Sequence, residues 1–105
     1  MSEQLVDELK EKMGAIRSLK RAPSQYQIFF HLLGTGRTMT VREIAGETGM
    51  TPKATERAVA KLVEKGLIQR APFRQRSYTC DSRQVILGML LTVMELQDRL
   101  EKRGI

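Results

Sequence analysis

Apolar residues recur along this chain at helical spacing near both ends and in the middle, and give way to a short strand-like interval only after residue 66. Leu5, Leu9, Ile16 and Leu19 share one face of a first helix, with Val6 and Met13 on its shoulder. Arg21-Ala22-Pro23 ends it, because the residue before a proline is pushed out of the helical region. Ser24 and Gln27 have capping-box spacing and predict a second helix through Leu33, with Tyr26, Phe29, Phe30 and Leu33 facing the core and Gly34-Thr35-Gly36 as its stop. Thr40 and Glu43 repeat that spacing and open a third helix. Ile44 and Ala45 are its small apolar face, and Gly49 ends it in a left-handed cap. Thr51 caps a fourth helix with Pro52 at its first position, where no amide donor is missed. Val59, Leu62 and Val63 point inward from it, and Gly66 closes it. Residues 67–70 (LIQR) and 77–80 (SYTC) predict two strands joined by a loop containing Pro72, Arg74 and Arg76. A last helix, capped by Asp81 or Ser82, runs to about residue 103 and is roughly 30 Å long at about 1.5 Å per residue.

Two short helices on a glycine turn form a helix-turn-helix, whose second helix can enter a DNA major groove. The hairpin directly after that helix is a wing. In EIAGETGM, in TPKATERAVAKLVEKGLI and in the basic hairpin, the chain resembles winged helix-turn-helix regulators. The groups it is similar to are the MarR and TrmB-like regulators and the small archaeal Lrp-like regulators, over roughly residues 24–80. The resulting fold class is α+β, mostly α: a winged helix-turn-helix with N- and C-terminal helices forming a dimerisation layer. One domain is expected over residues 1–105, made of an N-terminal helix (1–22), the winged helix-turn-helix (23–80) and a C-terminal dimerisation helix (81–105). No separate ligand-sensing module is expected within these 105 residues.

Charge places the reading head. The net charge is +6, with a pI of about 9.9, which favours a polyanionic partner. Residues 1–12 hold two lysines against four acids, whereas residues 13–36 add Arg17, Lys20 and Arg21 with no acid. Residues 37–83 carry ten basic and five acidic side chains, and residues 84–105 balance at three each. The surplus falls on the helix-turn-helix, the wing and the segment before them.

The resemblance implies double-stranded DNA as partner. It sets Thr51, Lys53, Ala54 and Arg57 nearest the groove. Pro52, Glu56 and Lys61 complete the residues of the recognition helix assigned to DNA. The guanidinium fork of Arg57 matches the two acceptors of guanine; Glu56, a departure from a purely basic helix, either selects against phosphate proximity or accepts from a cytosine amine, and Ala54 suits a thymine methyl. Arg70, Arg74, Gln75 and Arg76 make up the wing contact, with Arg74 and Arg76 entering or flanking the minor groove. Arg37, Thr40 and Arg42 hold the backbone. Thr55 is a departure, since winged helices usually place an aliphatic residue there, and it leaves the rotation of the helix about its axis open.

Ile86, Met89, Val93, Leu96 and Leu100 follow the three-four spacing of a coiled-coil seam, widened by Leu87, Leu90, Leu91 and Met94. One small winged domain has too little surface to cover this stripe and the N-terminal one. A homodimer would cover both, through Leu5, Leu9, Ile16, Ile86, Met89, Leu90, Val93, Leu96 and Leu100; the competing arrangement packs the two terminal helices only on each other within one chain.

Other chemistry is thinly represented. Cys80 is the only cysteine, which excludes an internal disulfide, and no Cys/His spacing suits a structural zinc site. Cys80 reads as packing rather than as a redox sensor, and His31 as a solvent-facing or helix-satisfied residue rather than a ligand. There is no Ser/His/Asp set, no paired-acid site and no phosphate loop, so neither an enzyme nor a cofactor is expected. The charged start MSEQLVDELKEK has no apolar signal core, and the longest apolar run is too short for a bilayer. A cytoplasmic, nucleoid-associated protein without membrane contact is expected, with its small-molecule effector unknown. Two other functions use the same surfaces: an architectural, chromatin-like DNA-binding protein without sequence preference, and a winged-helix protein-interaction module.

Overall fold

The computed structural model describes residues 2–104; residues 1 and 105, the ends of the expected domain, lie outside it. Five α-helices and three very short strands follow one another in the described residues. α1 (Glu3–Ser18) starts at Ser2, whose hydroxyl accepts from the Leu5 amide, and tightens into a 3-10 turn over Leu19–Arg21. α2 (Pro23–Thr35) begins on Pro23 itself. That start corrects the expected Ser24/Gln27 capping box. Ser24 falls inside the first turn, no side chain caps the helix, and the Gln27 amide instead donates to the Thr48 carbonyl at 3.0 Å.

The buried face of α2 also differs from expectation. Ile28, Phe29 and Leu32 are fully buried, Leu33 is half-buried, and Tyr26 and Phe30 are exposed and lean on each other with ring centroids 4.7 Å apart. The run YQIFFHLL is apolar on most sides, so periodicity alone does not select a face.

β1 (Met39–Thr40) leads into α3 (Val41–Thr48), and α4 (Pro52–Glu64) follows after Gly49. Gly49 has φ +75°, the left-handed conformation that lets the chain reverse between the two helices at little steric cost. α4 ends in a Schellman arrangement: the Leu67 amide donates to the Leu62 carbonyl and the Gly66 amide to the Val63 carbonyl, both at 3.0 Å. This turn drops Leu67 and Ile68 into the core, so β2 is only Gln69–Arg70 rather than the whole of residues 67–70. β3 (Ser77–Thr79) stops before the buried Cys80. The antiparallel sheet has the order β1-β3-β2, with Met39 opposite Tyr78 and Arg70 opposite Tyr78 on the other side. β1 was not expected, because a two-residue strand has no readable period.

One core joins these elements. It contains Leu19, Ile28, Phe29, Leu32, Met39, Ile44, Val59, Leu62, Leu67, Ile68 and Val85, drawn from every layer of the fold. Burying a leucine or isoleucine of this kind contributes about 1.5–3 kcal/mol before entropic costs. α5 (Ser82–Lys102) is capped by Asp81, which accepts from the Arg83 amide, and packs along α1. The two helices meet where α5 has Gly88: a Cβ there would lie 2.7 Å from the Met13 methyl. This packing buries Leu9 within the single chain and leaves Leu5 and Ile16 half-buried, so Leu9 leaves the set expected at an interface between chains. The terminal helices thus do pack on each other, yet most of the α5 stripe stays open to solvent.

Candidate nucleic-acid interface

Local sequence fixes how α4 sits. The Thr51 hydroxyl accepts from the Ala54 amide at 3.2 Å, and Pro52 occupies the first helical position. Thr55, Ala58, Val59 and Leu62 form the buried stripe, with Val63 half-buried beside it. Thr55 is completely buried where an aliphatic residue was expected. Its hydroxyl donates to the Thr51 carbonyl at 2.8 Å, which removes the cost of an unpaired buried donor and settles the rotation of the helix. Pro52, Lys53, Glu56, Arg57 and Lys61 consequently face solvent, with Ala54 half-buried at the edge. The Thr51 oxygen is already engaged as a cap.

The basic side chains fall into two groups. Arg74 is committed: it donates to Glu43 at 2.7 Å and to the Thr38 carbonyl at 3.3 Å, bracing the wing against the start of α3. Glu43 serves two elements at once, since its carboxylate also accepts from the Thr40 amide while the Thr40 hydroxyl accepts from the Glu43 amide. The hydrogen bonds with Thr40, reinforced by the charge and donors of Arg74, hold the Glu43 carboxyl below its usual range. Arg37 is committed in the same way, to Glu47, which also hydrogen-bonds His31 at 2.9 Å. Hydrogen bonds from His31 and Arg37 depress the Glu47 carboxyl. His31 therefore ties α2 to α3 through Glu47 rather than being satisfied within its own helix.

Lys53, Arg57, Arg42, Arg70 and Arg76 form the second group. Among the described residues, none of the five makes an ion pair with an acid, and all are exposed. Lys61 lies near Glu64 at 3.6 Å, one turn along α4 and facing solvent. Between α4 and the wing runs an open cleft of about 850 Å³, lined by Glu56 as the one acid among the described residues and by Arg70, Arg74 and Arg76. Gln75 and Arg76 turn the chain into β3, with Arg76 at φ +54°. Thr40 has both its amide and its hydroxyl used in capping.

Cys80 is set apart from this face. Burial, with a further push from the Asp81 charge, raises its thiol to about 11, and its Sγ lies 3.6 Å from the Leu67 carbonyl. A buried, protonated thiol is poorly reactive. Among the described residues there is no cluster of His, Cys, Asp or Glu able to hold a metal, and no helix long and apolar enough to cross a membrane.

Two features were not recognised from sequence. One is the brace between Glu43 and Arg74, 31 positions apart. The other is Phe73 at the wing tip, which is 99% exposed. Glu43 was legible as a cap, but no local signal links it to the wing.

A winged helix-turn-helix with exposed cations on α4 and on the wing that make no ion pair among the described residues is the class of protein these observations define. The family model that matches is that of the MarR family, over residues 19–76, more than half of the chain. The chain belongs to the MarR family, whose members are winged helix-turn-helix DNA-binding transcriptional regulators and not enzymes. Two solved structures share its fold. A MarR family transcriptional regulator from Silicibacter pomeroyi is 19% identical, covers 89% of this chain and matches at a TM-score of 0.54; this chain spans 66% of that protein's length. MepR, a transcription regulator of the Staphylococcus aureus multidrug efflux pump MepA, is 18% identical and matches at a TM-score of 0.54 over 98% of this chain and 84% of its own. No curated protein matches the chain.

Proposed function

We propose that the protein acts as a homodimer that binds double-stranded DNA in a sequence-specific way and regulates transcription, α4 entering the major groove and the wing resting on the minor groove and backbone. The observation that carries this reading is the set of unpaired cations. Lys53 and Arg57 on α4, and Arg70 and Arg76 on the wing, stand exposed without acidic partners among the described residues, while Glu43 and Glu47 are engaged by Arg74 and Arg37. Phosphates supply the missing counter-charge, and release of condensed counterions drives such binding. Arg57, on the solvent face of α4, takes the base-reading role, and Arg42 and Arg76 hold phosphates. Arg74 and Arg37 act by positioning, because both are already held by carboxylates.

Dimerisation follows from α5. Ile86, Leu87, Met89, Leu90, Val93, Met94, Leu96 and Leu100 are between 38% and 63% exposed along one helix. A contiguous apolar face of this length marks an interface in a protein that works in water. A second copy, its own α5 laid against this one in coiled-coil fashion, is the simplest cover, and a two-fold arrangement presents two recognition helices to one face of DNA. A cytoplasmic, nucleoid-associated location accords with such a role.

Selection from a random DNA library tests the reading. The expected product is an inverted repeat with half-site centres about 10 bp, or a multiple of that, apart. Five base pairs inserted between the half-sites should lower affinity by about three orders of magnitude, to the non-specific level. Binding that depends only on DNA length and salt, with no motif recovered, would instead identify an architectural protein; absence of DNA binding would identify a protein-interaction module.

A further inference from the structure

Phe73 stands at the apex of the wing and is 99% exposed, the most open of the large apolar side chains among the described residues. The others have neighbours that account for them: Tyr26 and Phe30 rest against each other, and the rest lie along α5. The wing stem is firmly held. The Ala71 amide donates to the Ser77 carbonyl at 2.8 Å, and Arg74 is fastened to Glu43 and to the Thr38 carbonyl. Pro72 restricts the backbone just before the ring. The result is a phenyl ring on a braced support, flanked in the same hairpin by Arg70 and Arg76, which carry no acidic partner among the described residues.

We propose that Phe73 is a wedge that enters the minor groove between two stacked base pairs and kinks the duplex at the wing. This rests on the DNA-binding reading above and adds a specificity device to it. The flanking arginines select the occupant: an apolar protein surface or a neutral lipid gives them no counter-charge, whereas a minor groove has phosphates on both walls and apolar base faces between them. Apolar side chains inserted between base steps from the minor-groove side unstack them and bend the helix towards the major groove. The cost is least at pyrimidine–purine steps, so the wedge reads deformability at a position that no hydrogen bond specifies.

The test uses the full chain with a duplex carrying the selected site, dyes at both ends and 2-aminopurine at the step facing the wing. The intact protein should bend the duplex by roughly 20–90° and raise 2-aminopurine emission as the step unstacks. Phe73→Ala should abolish the rise in emission, reduce the bend and weaken binding about tenfold, the size expected for one lost aromatic contact to bases. It should leave the slope of affinity against salt unchanged, since no charge is removed. Phe73→Leu should retain most of the bend. Equal bending and emission by the parent and Phe73→Ala overturn the proposal while leaving DNA binding intact. A change in dimer mass on Phe73→Ala, with bending unaltered, makes the ring a protein contact and also overturns it. Failure of the parent to bind any duplex overturns this proposal and the reading on which it rests.

Discussion

α4 and α5 are both amphipathic helices opened by a side-chain cap, yet they place their apolar residues differently. α4 buries Thr55, Ala58, Val59 and Leu62 in the core of its own chain and turns Lys53, Glu56, Arg57 and Lys61 outward. α5 buries Val85 and Gly88 near its start, and then runs past the body with its widest apolar face uncovered. The first helix is finished within one chain, whereas the second is not. Position and rotation of the outward face of α4 are therefore set by intrachain packing, whereas the apolar face of α5 has no cover among the described residues.

The most severe way to break this contrast is to place acids on the uncovered face. Val93→Asp combined with Leu96→Asp should abolish the dimer, because two unpaired carboxylates are costly to bury in an apolar seam. Light scattering should then report the 12.0 kDa chain alone or aggregate, and binding to an inverted repeat should fall to the non-specific level. A dimeric mass kept by the double variant would place the interface elsewhere.

Truncation separates the two helices more finely. Leu62→Ala should cost about 2–5 kcal/mol of folding stability, as for other fully buried leucines, and the loss should not depend on protein concentration. Leu96→Ala should lower stability mainly through the dimer, so its effect should shift with concentration in denaturant unfolding. Equal concentration dependence for the two variants would remove the distinction drawn between α4 and α5.

Within the reading head, α4 and the wing should differ in kind. Arg57→Ala should weaken binding to the preferred site by about 1–3 kcal/mol and relax selectivity at one base pair. Arg76→Ala should weaken all sequences alike and reduce the salt slope by about one. Titrations at several salt concentrations, on matched and mismatched sites, check both.

The smallest expected effect belongs to Cys80. Its thiol is raised to about 11, so the reactive thiolate is scarce below that pH in the folded chain and becomes abundant only as pH rises through it. Alkylation of the native protein should stay slow through about pH 9, where a typical exposed cysteine already reacts quickly. Peroxide should leave DNA binding unchanged. Fast alkylation at pH 7, followed by mass spectrometry, would reopen a sensing role.

Much of this molecule was legible from its residues because the signals are local. The Thr40 and Thr51 caps, Pro52 at the start of α4, the reversal at Gly49 and the three-four stripe of α5 each depend on residues within a few positions of one another, and each specifies one geometry. They placed α4 and the hairpin that follows it. Tertiary structure decided what local signals leave degenerate. It chose Ile28 and Leu32 over Tyr26 and Phe30 on a helix that is apolar nearly all round, and it put Leu9 inside the chain. It rotated α4 so that Thr55 is buried with its hydroxyl satisfied by its own helix. It added β1 as a third strand, and it tied Arg74 to Glu43 across 31 positions while leaving Arg76 free of acids among the described residues. The physical reason is range: capping and periodicity act over one or two helical turns, whereas the choice of buried face and of charge partner depends on groups brought together only when the chain packs.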